Sequence, residues 1–127
     1  MQYLVGTDSV HTTAAICDYL ADRVTPDDTV TAIGVSPSDD PTARRDREEA
    51  LNVAPVRLAT AGDVKTARRS GAPAETLLEA ADEVDADEIV VGTHGGDPEA
   101  TRELGSTARR LLGDASRPVV VVPIPEL

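Results

Sequence analysis

The chain has 127 residues, 12 basic and 23 acidic, for a formal net charge of −11; that is room for one domain, and a surface that repels a nucleic-acid backbone. No apolar run nears the ~20 residues of a membrane span, and Met1-Gln2-Tyr3-Leu4-Val5 lacks a signal peptide's basic stretch and cleavage site, so a cytoplasmic protein without membrane contact is expected. Cys17 is the single cysteine, which excludes an internal disulfide and a cysteine-based zinc cluster.

Tyr3-Leu4-Val5-Gly6-Thr7 is a short, mostly apolar run of the kind a central buried strand makes. Asp8-Ser9 closes it, and Ile16, Leu20 and Val24 then recur every four residues beside Tyr19, giving a helix with one apolar face. Either Asp8 or Ser9 can cap that helix, so both lie in the turn after the first strand. Pro26-Asp27-Asp28 ends the helix, and Thr29 to Val35, rich in β-branched residues, predicts a second strand. After a loop from Ser36 to Pro41, the run Arg44-Arg45-Asp46-Arg47-Glu48-Glu49 reads as a helix with a solvated charged face and a modest apolar side of Ala43, Ala50 and Leu51. Pro55 is expected to break or restart it. Val56 to Gly62 carries little signal beyond a further helical turn. Val64 to Arg68 alternates weakly and is thinly apolar, as an edge strand is.

Ser70-Gly71-Ala72-Pro73 introduces the clearest helix, with proline near its first turn and Ala74, Leu77, Leu78, Ala81 and Val84 on one face. Asp85-Ala86-Asp87 turns into a fourth strand, Glu88 to Val91. A glycine-punctuated stretch follows, Gly92 to Thr107, and leads into a helix through Ala108-Arg109-Arg110-Leu111-Leu112. Arg117-Pro118 then opens a last strand, Val119 to Val122, closed by Pro123 and Pro125.

The stretch from Gly92 to Thr107 carries the chemistry. Glycines at 92, 95 and 105 leave the backbone free to take φ > 0 and let a ligand lie against main-chain N–H groups. Ser106-Thr107 opens a helix whose unpaired N–H groups and dipole favour an anion. On local chemistry two readings stay open: a phosphate-binding loop, or a strand-ending turn with Ser106 as an ordinary N-cap. It is neither the Walker pattern, since no lysine follows Gly105, nor GxGxxG. His94 has no visible base or orienting partner in the sequence, so no nucleophilic arrangement is expected.

Strand and helix alternate from end to end, which implies an α/β fold: one doubly wound, Rossmann-like parallel sheet of five strands with helices on both faces. Ligands in such sheets collect at the carboxyl ends of the strands, where the connection order reverses.

Glycine, two residues, glycine, nine residues, glycine and Ser or Thr, met by Gly92, Gly95, Gly105 and Ser106, resembles the nucleotide-binding signature of the universal stress protein family. Asp8-Ser9 after the first strand, Ala86 to Gly95 around the fourth, and Arg117-Pro118 before the valine strand extend that resemblance over residues 1–127 as one domain. The resemblance implies strand order 3-2-1-4-5 and a site for ATP or AMP. It implies Gly92, Gly95, Gly105, Ser106 and Thr107 at ribose and phosphates, Asp8 with Thr7 near the nucleoside, and Val35 at the adenine. Asp8 is also the residue implied for Mg²⁺ or Mn²⁺. The insert from Gly96 to Leu104 is acidic, and Asp97 and Glu99 repel a triphosphate unless a divalent ion or salt intervenes; alternatively they favour the N-terminus of a short loop helix begun by Pro98.

The uncharged Val119 to Val122 strand is a sticky margin if unpaired. The resemblance implies that it pairs with its copy in a homodimer. Lys65 is the only lysine and aromatic residues are nearly absent, a bias similar to that of halophile proteins, in which molar salt screens self-repulsion. Three functions are therefore expected to compete: an adenine-nucleotide-binding regulatory module of the stress response, a dimeric scaffold that has lost nucleotide binding, and a slow ATP hydrolase.

Overall fold

The computed structural model describes residues 1–36, 40–93 and 104–125. Nine elements alternate along them: β1 (Gln2–Thr7), α1 (Val10–Ala21), β2 (Thr29–Ser36), α2 (Pro41–Arg57), β3 (Asp63–Ser70), α3 (Pro73–Glu83), β4 (Glu88–Gly92), α4 (Ser106–Asp114) and β5 (Val119–Val122). The strands form one sheet in the order β3-β2-β1-β4-β5, and each adjacent pair is parallel. This is the doubly wound α/β architecture expected from the alternation, with the order that the resemblance implied.

The pleat of the strands sorts their side chains into two cores. Tyr3 and Val5 of β1 join Val30, Ala32 and Val90 on the face covered by α1 and α2, through Ile16, Cys17, Leu20, Leu51 and Ala54. Leu4, one residue out of phase, joins Ile33, Val35, Ile89 and Val91 on the face covered by α3 and α4, through Leu77, Ala81, Ala108 and Leu111. Central strands buried on both sides read as near-continuous apolar runs for that reason. β3 lies at one margin and is mostly exposed, the edge position expected from its thin hydrophobicity.

One local expectation is corrected. Pro55 does not break α2, which runs through it to Arg57. Pro55 has no N–H to give the Leu51 carbonyl, but it lies two residues from the helix end, so the loss is local and the Leu58 N–H still reaches the Ala54 carbonyl at 3.0 Å. α2 buries Ala50, Leu51 and Ala54, the modest apolar side expected of it, with Ala43 only half-buried.

Candidate functional site

The order of connections reverses between β1 and β4, the two neighbours at the middle of the sheet, and their carboxyl ends are where such folds leave a crevice. The turn after β1 is built by hydroxyl groups. Ser9 is the N-cap of α1, its Oγ accepting from the Thr12 N–H at 3.1 Å, which decides between the two capping candidates. The Thr7 hydroxyl is buried, 2.7 Å from that of Thr13 and 3.2 Å from the Ser9 carbonyl, to which it donates. Thr7 thus shapes the turn from beneath. The half-buried Asp8 stands between these two anchored residues.

On the other side of the reversal, β4 ends at Gly92 and the chain returns at Leu104. The Gly105 N–H donates to the Thr93 carbonyl at 2.6 Å, and the Thr93 N–H to the Val122 carbonyl at 3.0 Å. The Thr93 hydroxyl accepts from the Ile124 N–H at 3.3 Å. The two ends of the loop are therefore pinned together and to the segment around β5. Neither Gly92 nor Gly105 uses a positive φ: Gly105 is extended at φ −64°, and among the described glycines only Gly71, at +138°, is left-handed. Gly92 is needed for space instead. A Cβ there would lie 2.8 Å from Ile124 Cδ1 and 3.2 Å from Thr12 Cγ2, so a contact of the fold, rather than backbone freedom, explains this glycine.

Gly105 is the N-cap of α4, and Ser106 is its first helical residue. Ser106 is therefore not the cap. Because glycine has no side chain, the N-cap residue itself offers no oxygen to the first turn of α4. The N–H groups that a helix leaves without internal partners, with the positive end of its dipole, point out at the same end of the sheet as Asp8. Thr107 is half-buried and Ser106 exposed.

Val35 lies at the end of β2, buried at 5% exposure, with its side chain in the core on the α3 face. Its carbonyl reveals a residue that the sequence reading assigned to solvent. Arg47 Nε donates to the Val35 carbonyl at 3.0 Å, and Arg47 Nη1 donates to the Asp8 carbonyl at 2.6 Å. One guanidinium thereby joins the turns after β1 and β2. The signal was available: Arg47, Leu51, Ala54 and Leu58 continue one helical stripe, so a charge at its head must reach something polar at the sheet's end.

The arrangement offers N–H donors and a helix dipole on one side and a carboxylate on the other. Among the described residues no group of three or more His, Cys, Asp or Glu is placed to hold a metal ion. Ser9 is committed to capping, and His11 Nε2 is 2.8 Å from the Pro125 carbonyl. Gly95, His94, Asp97 and Glu99 lie outside the described residues.

Compared with known proteins, residues 4–123 match the profile of the universal stress protein family. A universal stress protein solved in complex with cAMP is 26% identical over 98% of each chain, with a TM-score of 0.72. The universal stress protein of Archaeoglobus fulgidus in complex with dAMP is 21% identical, covering 96% of this chain and 97% of its own, at a TM-score of 0.65. A universal stress protein family protein of Arabidopsis thaliana with AMP bound is 13% identical, covering 98% and 92%, at 0.69. No curated protein matches the chain.

Proposed function

Since the chain belongs to the universal stress protein family, we propose that it binds an adenine nucleotide, ATP or AMP, at the carboxyl ends of β1 and β4 and acts as a cytoplasmic regulatory module of the stress response. The observation that carries this reading is the start of α4: a nine-residue helix whose N-cap is glycine and supplies no side-chain cap, facing the crevice where the strand order reverses. Phosphate oxygens fit that need in charge and in hydrogen-bond sense. The nucleotides carried by similar proteins support the same ligand class.

In this reading Gly92, Gly95, Gly105, Ser106 and Thr107 take ribose and phosphates, Thr7 and Asp8 border the nucleoside, and Val35 meets the adenine. A single carboxylate suits Mg²⁺ or Mn²⁺ only when phosphate oxygens complete the coordination shell, so Asp8 is assigned as a metal ligand in the nucleotide complex alone. β5 pairs with its copy in a homodimer; Val119, Val120 and Val121 are only partly covered within one chain, which leaves apolar surface for a partner. The acidic, lysine-poor surface suits a protein of a halophile.

The test is extraction of nucleotide from protein purified at high salt, followed by calorimetric titration of ATP, AMP and Mg²⁺ into the emptied protein. Wild type is expected to bind. The Gly105→Val variant is expected to remain folded and to lose at least tenfold in affinity, because its side chain meets the ligand at the helix start. Unchanged affinity in a folded variant would sink the site assignment. If wild type, folded and dimeric at molar salt, binds no nucleotide, the scaffold reading replaces this one. ADP formed by wild type above the Gly105→Val background would add slow hydrolysis.

A further inference from the structure

A second polar cavity lies two strands away from the β1–β4 reversal. It is a pocket of about 280 Å³ lined by Ser36, Arg44, Arg68, Arg69 and Ser70, at the small end of the ~300–1,000 Å³ usual for ligand pockets. Its floor is the carboxyl end of the β2–β3 pair, where Val35 stands opposite Arg69 and Ser36 opposite Ser70. Arg44 comes from the second turn of α2, a 17-residue helix whose N-terminal end lies at the same side of the sheet. Three of the chain's 12 basic residues thus converge on one cavity in a molecule of net charge −11, which general solvation of a charged surface does not require.

The state of these side chains points to a ligand. Ser36 and Ser70 line the cavity as cross-strand partners, so two hydroxyl groups stand beside the three guanidinium groups as hydrogen-bond donors. Arg44 makes no ion pair with a described residue. Arg68 is 3.2 Å from Glu48, and Arg69 bonds Glu83, yet both carboxylates are more than half exposed. Such surface pairs are weak, so the two guanidinium groups can turn to a better anion at small cost. Forked guanidinium donors match the oxygens of a tetrahedral anion, while the N-terminus of α2 is already met by its own cap, the Asp40 carboxylate, which accepts from the Thr42 N–H at 3.0 Å.

We propose that this pocket binds a phosphate group, held by Arg44, Arg68 and Arg69 with hydrogen bonds from Ser36 and Ser70, at a site separate from the start of α4. The phosphate is either free or carried by a molecule that also occupies the β1–β4 crevice.

Inorganic phosphate is the probe. It is titrated calorimetrically into wild type, Arg44→Gln and Ser36→Ala at fixed ionic strength, with sodium chloride as the balancing salt so that screening is constant. One phosphate per chain is expected, weakened about tenfold by Arg44→Gln and a few-fold by Ser36→Ala. Repeating the titration at saturating AMP separates the sources. Unchanged phosphate affinity assigns a separate phosphate compound, and displacement that depends on Arg44 assigns a phosphate borne by the nucleotide. No measurable phosphate binding, or binding that Arg44→Gln leaves unchanged, overturns the pocket. Because phosphate is titrated alone first, failure of the nucleotide reading leaves this result interpretable.

Discussion

The two ends of the sheet treat polar groups in opposite ways. At the amino end the chain satisfies itself: Asp28 Oδ1 accepts from the Met1 ammonium at 2.7 Å, its Oδ2 from the Thr25 N–H at 2.9 Å, and its carbonyl from the Gly62 N–H at 2.9 Å. The Gln2 N–H reaches Asp87 Oδ2 at 2.7 Å while the Asp87 N–H returns to the Gln2 carbonyl at 2.8 Å. At the carboxyl end Ser9 caps α1 and Asp40 caps α2, but the glycine at the start of α4 supplies no side-chain cap and no ion pair joins Arg44 to a described carboxylate. Helices that start at the carboxyl ends of strands aim their N–H groups there, so under the nucleotide reading the ligand meets N–H groups that the glycine cap of α4 leaves to it.

The contrast is broken most severely at Gly62. A Cβ at that position would lie 2.0 Å from the Pro26 carbonyl oxygen and 3.2 Å from that of Asp28, a clash with backbone that no rotamer relieves. Gly62→Ala is expected to cost about 3 kcal/mol or more, read as a lowered denaturant midpoint at high salt. Its nucleotide and phosphate affinities, measured on the fraction that is folded, should match wild type. Loss of binding in a folded Gly62→Ala protein would mean that the two ends are coupled and that the division drawn here is wrong.

Arg47 sharpens the comparison from the other side, because among the described residues its long side chain ties the turns after β1 and β2 together. Removing it takes hydrogen bonds from the Asp8 and Val35 carbonyls. Arg47→Ala should cost about 1–2 kcal/mol of stability and, under the nucleotide reading, weaken AMP by more than that loss of folded protein explains. Arg47→Lys keeps the charge but cannot span both carbonyls, so it should restore little. Full AMP affinity in Arg47→Ala would remove Arg47 from the architecture of the site.

What sequence reading could reach follows the same division. The buried runs Tyr3 to Thr7 and Val119 to Val122, and the apolar stripe of α3, were legible because their period and composition act locally. The start of α4 was legible as a helix N-terminus because glycine followed by Ser-Thr is a local signal. Arg47 and the Arg44–Arg68–Arg69 pocket were not, because their meaning depends on β2 and β3 being neighbours and on where α2 begins over them. Charge runs look alike until the sheet places them. Gly92 shows the same limit: its spacing in the motif is visible in the sequence, while the reason for it, Ile124 and Thr12 against its Cα, is a contact between distant parts of the chain.

Asp28 gives the smallest effect and the one with a pH signature. Its carboxyl is held below the ordinary carboxylate range, first by the hydrogen bond from the Met1 ammonium and then by the Thr25 N–H, against the opposing effect of burial. A folded-state pKa lower than the unfolded one means that the stabilisation is fully present above the unfolded value, about 4, and is lost as pH falls through the folded value. The ammonium moves the other way: the same hydrogen bond raises its pKa, so its share is present below about pH 8 and is lost at alkaline pH. Asp28→Asn should therefore lower the melting temperature at pH 6 to 7, and the difference from wild type should shrink below about pH 4. Taking that difference cancels the other acidic residues, which titrate in both proteins. A constant difference from pH 7 to pH 2 would mean that the ionised carboxylate contributes nothing and that the amino end is held by Gly62 and its backbone hydrogen bonds alone. The carboxyl end provides the control, since AMP and phosphate affinities at neutral pH should be the same in Asp28→Asn as in wild type.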